Sequence, residues 1–204
     1  ILQTMNNIIF DLDGTLVDAN DLHHDSFEWA IQQQIPSFVL TNQLRIELEG
    51  IPSLNKLEML NTIGYKLDVI KAYNDKQIYT DNNLHMITWD AELPDIIREY
   101  SKKYTLAICS NARSKFVFTA LQLMNLSCFD AVYTANVIPL AMRKPNPYQF
   151  VLAMSQLNMN PDTTIIFEDS VPGLKAANSS GAGIVIKVDN SADTKEKLIK
   201  LLDA

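Results

Sequence analysis

Phe10-Asp11-Leu12-Asp13-Gly14-Thr15-Leu16-Val17-Asp18 follows the short apolar run Ile8-Ile9-Phe10 and puts two carboxylates two residues apart where that run stops. An apolar run closed by a glycine-containing turn reads as a buried parallel strand, and the sites of open α/β sheets lie beyond the carboxyl ends of such strands. Asp11 and Asp13 are thereby placed for chemistry. An isolated Asp-x-Asp-Gly is more often a plain Asx turn into a helix. What decides between the two readings is whether other strands bring polar groups to the same edge.

Three further stretches repeat the change from apolar to polar. Tyr104-Thr105-Leu106-Ala107-Ile108-Cys109 runs into Ser110-Asn111-Ala112-Arg113, ahead of a helix expected from about Lys115 to Met124. A serine before a helix start is an anion site or an ordinary N-cap. In Arg143-Lys144-Pro145-Asn146-Pro147 two prolines fix the backbone around a basic pair just before a helix, Tyr148 to Leu157. Taken alone this is a solvated loop; beside several carboxylates it is the fixed cation that a phosphoryl group requires. Thr164-Ile165-Ile166-Phe167 ends in Glu168-Asp169-Ser170, ahead of a small-residue helix. Those acids either cap the helix or hold a hard cation, and Mg²⁺ is satisfied by a few carboxylate oxygens with a backbone carbonyl.

Taken in order, the Phe10 to Asp18 string, Ser110, Lys144-Pro145-x-Pro147 and Glu168-Asp169-Ser170-x-x-Gly173-x-x-Ala176-Ala177-x-x-x-Gly181 resemble the four motifs of the haloacid dehalogenase superfamily, in its β-phosphoglucomutase-like subgroup. The resemblance covers residues 5–18 and 90–188. It implies an α/β fold, a three-layer Rossmann-like core with a parallel sheet and an inserted all-helical cap domain. The implied activity is that of a Mg²⁺-dependent phosphatase acting through an aspartyl-phosphate on a small phosphorylated metabolite, a sugar phosphate or similar phosphomonoester. In that reading Asp11 is the nucleophile and Asp13 the general acid and base, while Ser110, Asn111, Lys144 and Thr15 bind phosphate. Asp11, Asp13, Asp169 and Glu168 hold the metal, and His23 and Lys56 of the cap face the substrate.

The same subgroup contains sugar phosphomutases. A mutase needs a second phosphate site, which a cap-loop arginine usually supplies, and Glu49-Gly50-Ile51-Pro52-Ser53-Leu54-Asn55-Lys56 offers only Lys56. A hydrolase is therefore favoured. Dehalogenation needs neither a second aspartate nor Mg²⁺, and a non-catalytic binding module is disfavoured because no motif residue is missing.

The helical insertion is read from spacing. After a helix from about Asp21 to Gln34, the stretch to about Ile87 has no β-branched run, and it carries Leu54, Leu57, Leu60 and Ile63, then Leu67, Ile70 and Tyr73, at near-helical intervals. About seventy helical residues exceed any ordinary βα connection. The expected domains are a core of residues 1–17 and 88–204 and a cap of 18–87. From Glu92 onward helix and strand alternate, beginning with a helix to about Lys103, which predicts a parallel sheet.

With 204 residues, 47% of them hydrophobic, the chain can bury a large core. A net charge of -7 argues against a nucleic-acid partner, since phosphate-backbone binders present a basic face. The apolar stretches are strand-sized, too short for a membrane span, and no leader pattern opens the sequence. A cytoplasmic monomer is expected, with Ile1–Thr4 read as a trimmed start and Met5 as a candidate initiator. Cys109 and Cys128 are read as reduced thiols without a catalytic part. Phe116 and Phe118 are read as core, and the tail helix as burying Leu198, Leu201 and Leu202 beneath a charged face.

Overall fold

The sheet grows outward from β1 (Asn7–Phe10), which is buried along its whole length. In the computed structural model, which describes residues 5–48 and 51–202, β1 pairs in parallel with β2 (Thr105–Cys109) on one side and β4 (Thr164–Glu168) on the other. β3 (Ala131–Tyr133) adds outside β2 and β5 (Ile184–Lys187) outside β4, giving the order β3-β2-β1-β4-β5. All four strand pairings of this sheet are parallel. The residues expected to lie at the start, Ile1–Thr4, and Glu49 and Gly50 of the cap loop fall outside the described residues.

Strand side chains alternate between faces, so each strand feeds two layers. Ile9, Ala107, Cys109 and Ile166 meet Phe150, Ala153 and Met154 of α7 (Tyr148–Gln156) and Ala176 and Ala177 of α8 (Val171–Asn178). The alternate residues Ile8, Phe10, Leu106, Ile108, Ile165 and Phe167 are buried on the opposite face, where the Phe10 and Phe167 rings stack at 5.2 Å. Leu93 and Ile97 of α5 (Leu93–Tyr100), Val117, Ala120 and Leu121 of α6 (Ser114–Leu123) and Leu198 of α9 (Ser191–Leu202) are also buried. This is an α/β fold of the Rossmann-like kind.

The chain divides into two compact units, one reaching through Asp18 and resuming at Ile87, the other Ala19–Met86. The second is helical: α1 (Asn20–Gln32), α2 (Asn42–Leu48), α3 (Ser53–Thr62) and α4 (Val69–Asn82), then a 3₁₀ turn, Leu84–Met86. Its own core joins Phe27, Ile31, Phe38, Leu40, Leu48, Leu57, Leu60, Leu67 and Ala72. Asn61 fixes the turn before α4 by accepting from the Leu67 N–H at 2.8 Å and donating to the Leu67 carbonyl at 3.0 Å.

Two details differ from the sequence expectation, and one of the two readings left open for Ser110 is closed. Phe116 is buried but Phe118 is 53% exposed, because residues two apart on a helix point to different sides. The helix expected to reach about Lys103 ends at Tyr100; Lys102 and Lys103 donate to carbonyls only three residues back, the tighter winding common at helix exits. Ser110 is not a helix cap, since α6 starts at Ser114 and its N-cap position is Arg113.

Candidate active site

Strand register builds the site. Phe10 is paired with Ile108 and with Phe167, so the next residue of each strand brings Asp11, Cys109 and Glu168 level at the carboxyl edge. The Asp11 N–H still donates to the Phe167 carbonyl at 2.9 Å, which holds its backbone to the sheet. Beyond it the chain closes a tight loop: the Leu12 carbonyl accepts from the N–H groups of Thr15, Leu16 and Val17, and Gly14, at φ +85°, donates to Val17. Only glycine fits there. A β-carbon at Gly14 would come within 2.2 Å of Asp169 Oδ2, so its absence lets the fourth-motif carboxylate lie against the first-motif loop.

Lys144 stands at the centre. Its ammonium donates to Asp11 Oδ1 at 2.5 Å, to Glu168 Oε2 at 2.7 Å and to the Cys109 carbonyl at 2.7 Å, which uses its three protons. The Phe150 ring lies 4.9 Å away. Lys144 is thus buried among carboxylates and is no part of a solvated loop. Glu168 is wholly buried, and its other oxygen accepts from the Ser170 N–H at 3.1 Å and hydroxyl at 2.8 Å. A β-carbon at Gly173 would fall 2.0 Å from the Glu168 carboxyl carbon, so the α8 glycine makes room for that group.

Charge is unbalanced here. Asp11, Glu168 and Asp169 bring carboxylate oxygens within 4.8 Å of one another, and Lys144 is the cation bonded to two of them. Three carboxylates against one ammonium leave two negative charges, the complement of one divalent ion. Burial pushes Asp11 up to about 7 despite Lys144 beside it, with Glu168 and Asp13 adding to the rise. Burial, then repulsion from Asp11 and Glu168, pushes Asp169 up to about 8. For Lys144 burial works downward, but attraction to Asp11 and Glu168 outweighs it and leaves its pKa raised. The donor set, all hard oxygens with a charge deficit of two, fits Mg²⁺.

A pH dependence follows. An ordinary Asp titrates at 3.8, whereas the folded chain holds protons on Asp11 to about 7 and on Asp169 to about 8. The metal-free fold therefore carries protons that the unfolded chain has lost. The stability this contributes is full below about pH 4 and is lost as pH rises through 7 and 8. With chelator, melting temperature should fall between pH 6 and pH 8.5, and added Mg²⁺ should raise it more at pH 8.5 than at pH 6. Equal Mg²⁺ stabilisation at both pH values would contradict the crowded-carboxylate account.

Asp13 lies half-buried in the loop, bridged to Val17. Thr15 is fully buried, and among the described residues its Oγ1 has no hydrogen-bond partner. Ser110 is buried and its Oγ accepts from the Ala112 N–H at 3.1 Å, forming the turn after β2. Asn111 turns its side chain to the Lys144 backbone. His23 and Lys56 belong to the helical unit, with Lys56 Nζ 5.9 Å from the centre of the Phe27 ring. There Arg45, which sequence reading passed over, reaches His24 Nδ1 at 3.4 Å. Partial burial, then Arg45 and Lys56, lower the His24 pKa.

Two groups of contacts had no signal in the sequence. Asp18 accepts from the Ser191 N–H at 3.0 Å and hydroxyl at 2.5 Å, and Thr194 donates to the Thr15 carbonyl at 2.7 Å. The first turn of α9 thus holds the far end of the Asp11 loop. Gln149, at the start of α7, is fully buried and bonded to Asn111.

Residues 8–187 match the model of the haloacid dehalogenase-like hydrolases, and the chain belongs to that family of enzymes. A phosphorylated carbohydrates phosphatase from Thermotoga maritima is 23% identical over 201 residues, covering 96% of this chain and 91% of the relative. The fold matches the β-phosphoglucomutase from Clostridium difficile with a TM-score of 0.69 at 20% identity, over 95% of this chain and 88% of the other. It also matches the hydrolase YfnB from Bacillus subtilis bound to magnesium, with a TM-score of 0.74 at 16% identity, over 99% and 100%. Among the described residues no helix is long and apolar enough to cross a membrane.

Proposed function

We propose that this enzyme is a Mg²⁺-dependent phosphatase of small phosphorylated carbohydrates or similar phosphomonoesters. The observation that carries the reading is the buried Asp11 carboxylate, bonded to Lys144 at 2.5 Å and crowded by Glu168 and Asp169 at the strand ends. Asp11, Asp169, Asp13 and Glu168 would hold a Mg²⁺ ion, which would supply the missing positive charge and keep Asp11 ionised.

Asp11 attacks the substrate phosphorus. The new carboxyl oxygen–phosphorus bond forms as the bond to the leaving alkoxide breaks, and Asp13 gives that alkoxide its proton. Asp13 then takes a proton from the water that attacks the aspartyl-phosphate, and Asp11 is freed with release of inorganic phosphate. Lys144 holds the nucleophile's position and offsets the charge of two approaching anions. Ser110, Thr15 and the backbone N–H of Asn111 serve the phosphate beside Lys144, and the helical unit, with His23 and Lys56, acts as the cap that selects the rest of the substrate. Glu168, whose oxygens are engaged by Lys144 and Ser170, steadies the lysine as well as the metal site.

The similarity to a phosphorylated carbohydrates phosphatase supports this substrate class. The test is a screen of phosphorylated metabolites with Mg²⁺ and with chelator, following both inorganic phosphate and isomerised product. Metal-dependent phosphate release is expected; isomerisation without release would replace the hydrolase by a mutase, and no turnover of any phosphomonoester would sink the reading. Asp13→Ala should slow alkyl phosphates by roughly 10²- to 10⁴-fold, the usual worth of a general acid, and slow aryl phosphates less. Equal losses on both, with leaving-group departure rate-limiting, would take the proton-transfer role away from Asp13.

A further inference from the structure

Lys144 is held at both ends, and its backbone end is held by amide side chains. Its N–H donates to Asn111 Oδ1 at 3.2 Å, and its carbonyl accepts from Asn111 Nδ2 at 3.1 Å. A backbone N–H can only donate and a carbonyl can only accept, so this pairing fixes which way the Asn111 amide faces. Gln149 Nε2 donates to the same Asn111 Oδ1 at 3.1 Å. The orientation of Gln149 is fixed in turn, since its oxygen cannot bond to another oxygen. The Gln149 main chain reaches the other end of the lysine, because its carbonyl accepts from Cys109 Sγ at 3.4 Å and the Cys109 carbonyl accepts from Lys144 Nζ.

The arrangement leaves one polar atom unsatisfied. Gln149 is 0% exposed, yet among the described residues its Oε1 has no hydrogen-bond partner. A buried polar atom without a partner destabilises the fold, and an apolar side chain at this seat on α7 would avoid that cost. The half of the amide that is bonded is the half that faces Asn111.

We propose that Gln149 is a positioning residue for the phosphatase reaction: acting through Asn111, it locks the Lys144 backbone so that the ammonium stands between Asp11 and Glu168. Asn111 then serves as the lysine's clamp, with both ends of its side-chain amide committed to Lys144. Gln149 touches neither substrate nor metal, and its effect on rate passes entirely through the lysine. The inference rests on the reading of the site as a phosphatase.

The experiment is a double-mutant cycle of Gln149→Met and Asn111→Ala, assayed with p-nitrophenyl phosphate and Mg²⁺, with Gln149→Leu as a second apolar replacement. Displacing a positioned group by a fraction of an ångström should lower kcat by about 10- to 100-fold, with KM changed by less than about threefold. The double variant should be no slower than the slower single variant, because both act on one clamp. Losses that multiply in the double variant, or an unchanged kcat in folded Gln149→Met, would overturn the proposal. So would failure of both apolar variants to fold, which would make Gln149 a packing residue. Amide exchange at Lys144, measured without substrate, should be faster in Gln149→Met than in the parent chain; unchanged exchange counts against the clamp whatever the activity. A parent enzyme that hydrolyses no phosphomonoester would instead refute the phosphatase reading, and the exchange result would still decide whether the clamp exists.

Discussion

Asp11→Asn should leave a folded protein whose turnover of phosphomonoesters is lower by roughly 10⁴-fold or more, in line with the loss of a covalent nucleophile elsewhere. The amide is a poor nucleophile and cannot form the aspartyl-phosphate. The fold should survive, because the substitution removes one of three crowded carboxylates and leaves Lys144 paired with Glu168 at 2.7 Å. In chelator at pH 8.5 the variant should melt no lower than the parent chain. Beryllium fluoride with Mg²⁺, a mimic of the phosphorylated aspartate, should raise the melting temperature of the parent and not of the variant. Turnover within tenfold of the parent would take the nucleophile's role from Asp11.

Lys144→Met should cost both stability and activity. Both carboxylates bonded to the ammonium are at most 8% exposed at the side chain, and removing one partner of a buried ion pair typically destabilises by about 3–5 kcal/mol. Here the loss strands two like charges. Denaturant unfolding near pH 8 should show that deficit, and it should shrink toward pH 5 as Asp11 takes up a proton in the folded state. Activity should be undetectable even where the variant is folded. A variant as stable as the parent at pH 8 would mean that the buried acids are already protonated and that Lys144 is not their counter-ion.

The strand ends were legible because each pairs an apolar run with an abrupt polar change. Ile8-Ile9-Phe10 before Asp11, Leu106 to Cys109 before Ser110 and Ile165 to Phe167 before Glu168 all carry that signal, and register then brings the three ends level. The burial of Lys144 was less open to local reading. Two prolines and a basic pair describe a surface loop equally well, and only the carboxylates of two other strands make the lysine an interior residue. Ser110 suited a helix cap by its neighbours, but Asn111-Ala112-Arg113 form a turn before α6 begins. Gln149, Ser191 and Thr194 gave no signal at all. Their partners lie 38, 173 and 179 residues away, and a lone Gln, Ser or Thr in an amphipathic helix is indistinguishable from its solvated neighbours until the fold brings those partners close.

The bond from Ser191 to Asp18 also has a consequence for time. β1 is the central strand, and both of its neighbours and the helix turn that fastens its loop are made later in the chain. At a synthesis rate of about 5–20 residues per second, the 173 residues between Asp18 and Ser191 take roughly 9–35 s to appear. For most of that interval the carboxylates of Glu168 and Asp169 do not yet exist, and until α9 is made the far end of the nucleophile's loop is held by its bridge to Thr88. The helical unit, whose core needs only residues between Phe27 and Ala72, can fold during the wait. The surroundings of the reactive aspartate are therefore completed late in synthesis, first by β4 and its acids and then by the turn of α9 that fastens the far end of the loop.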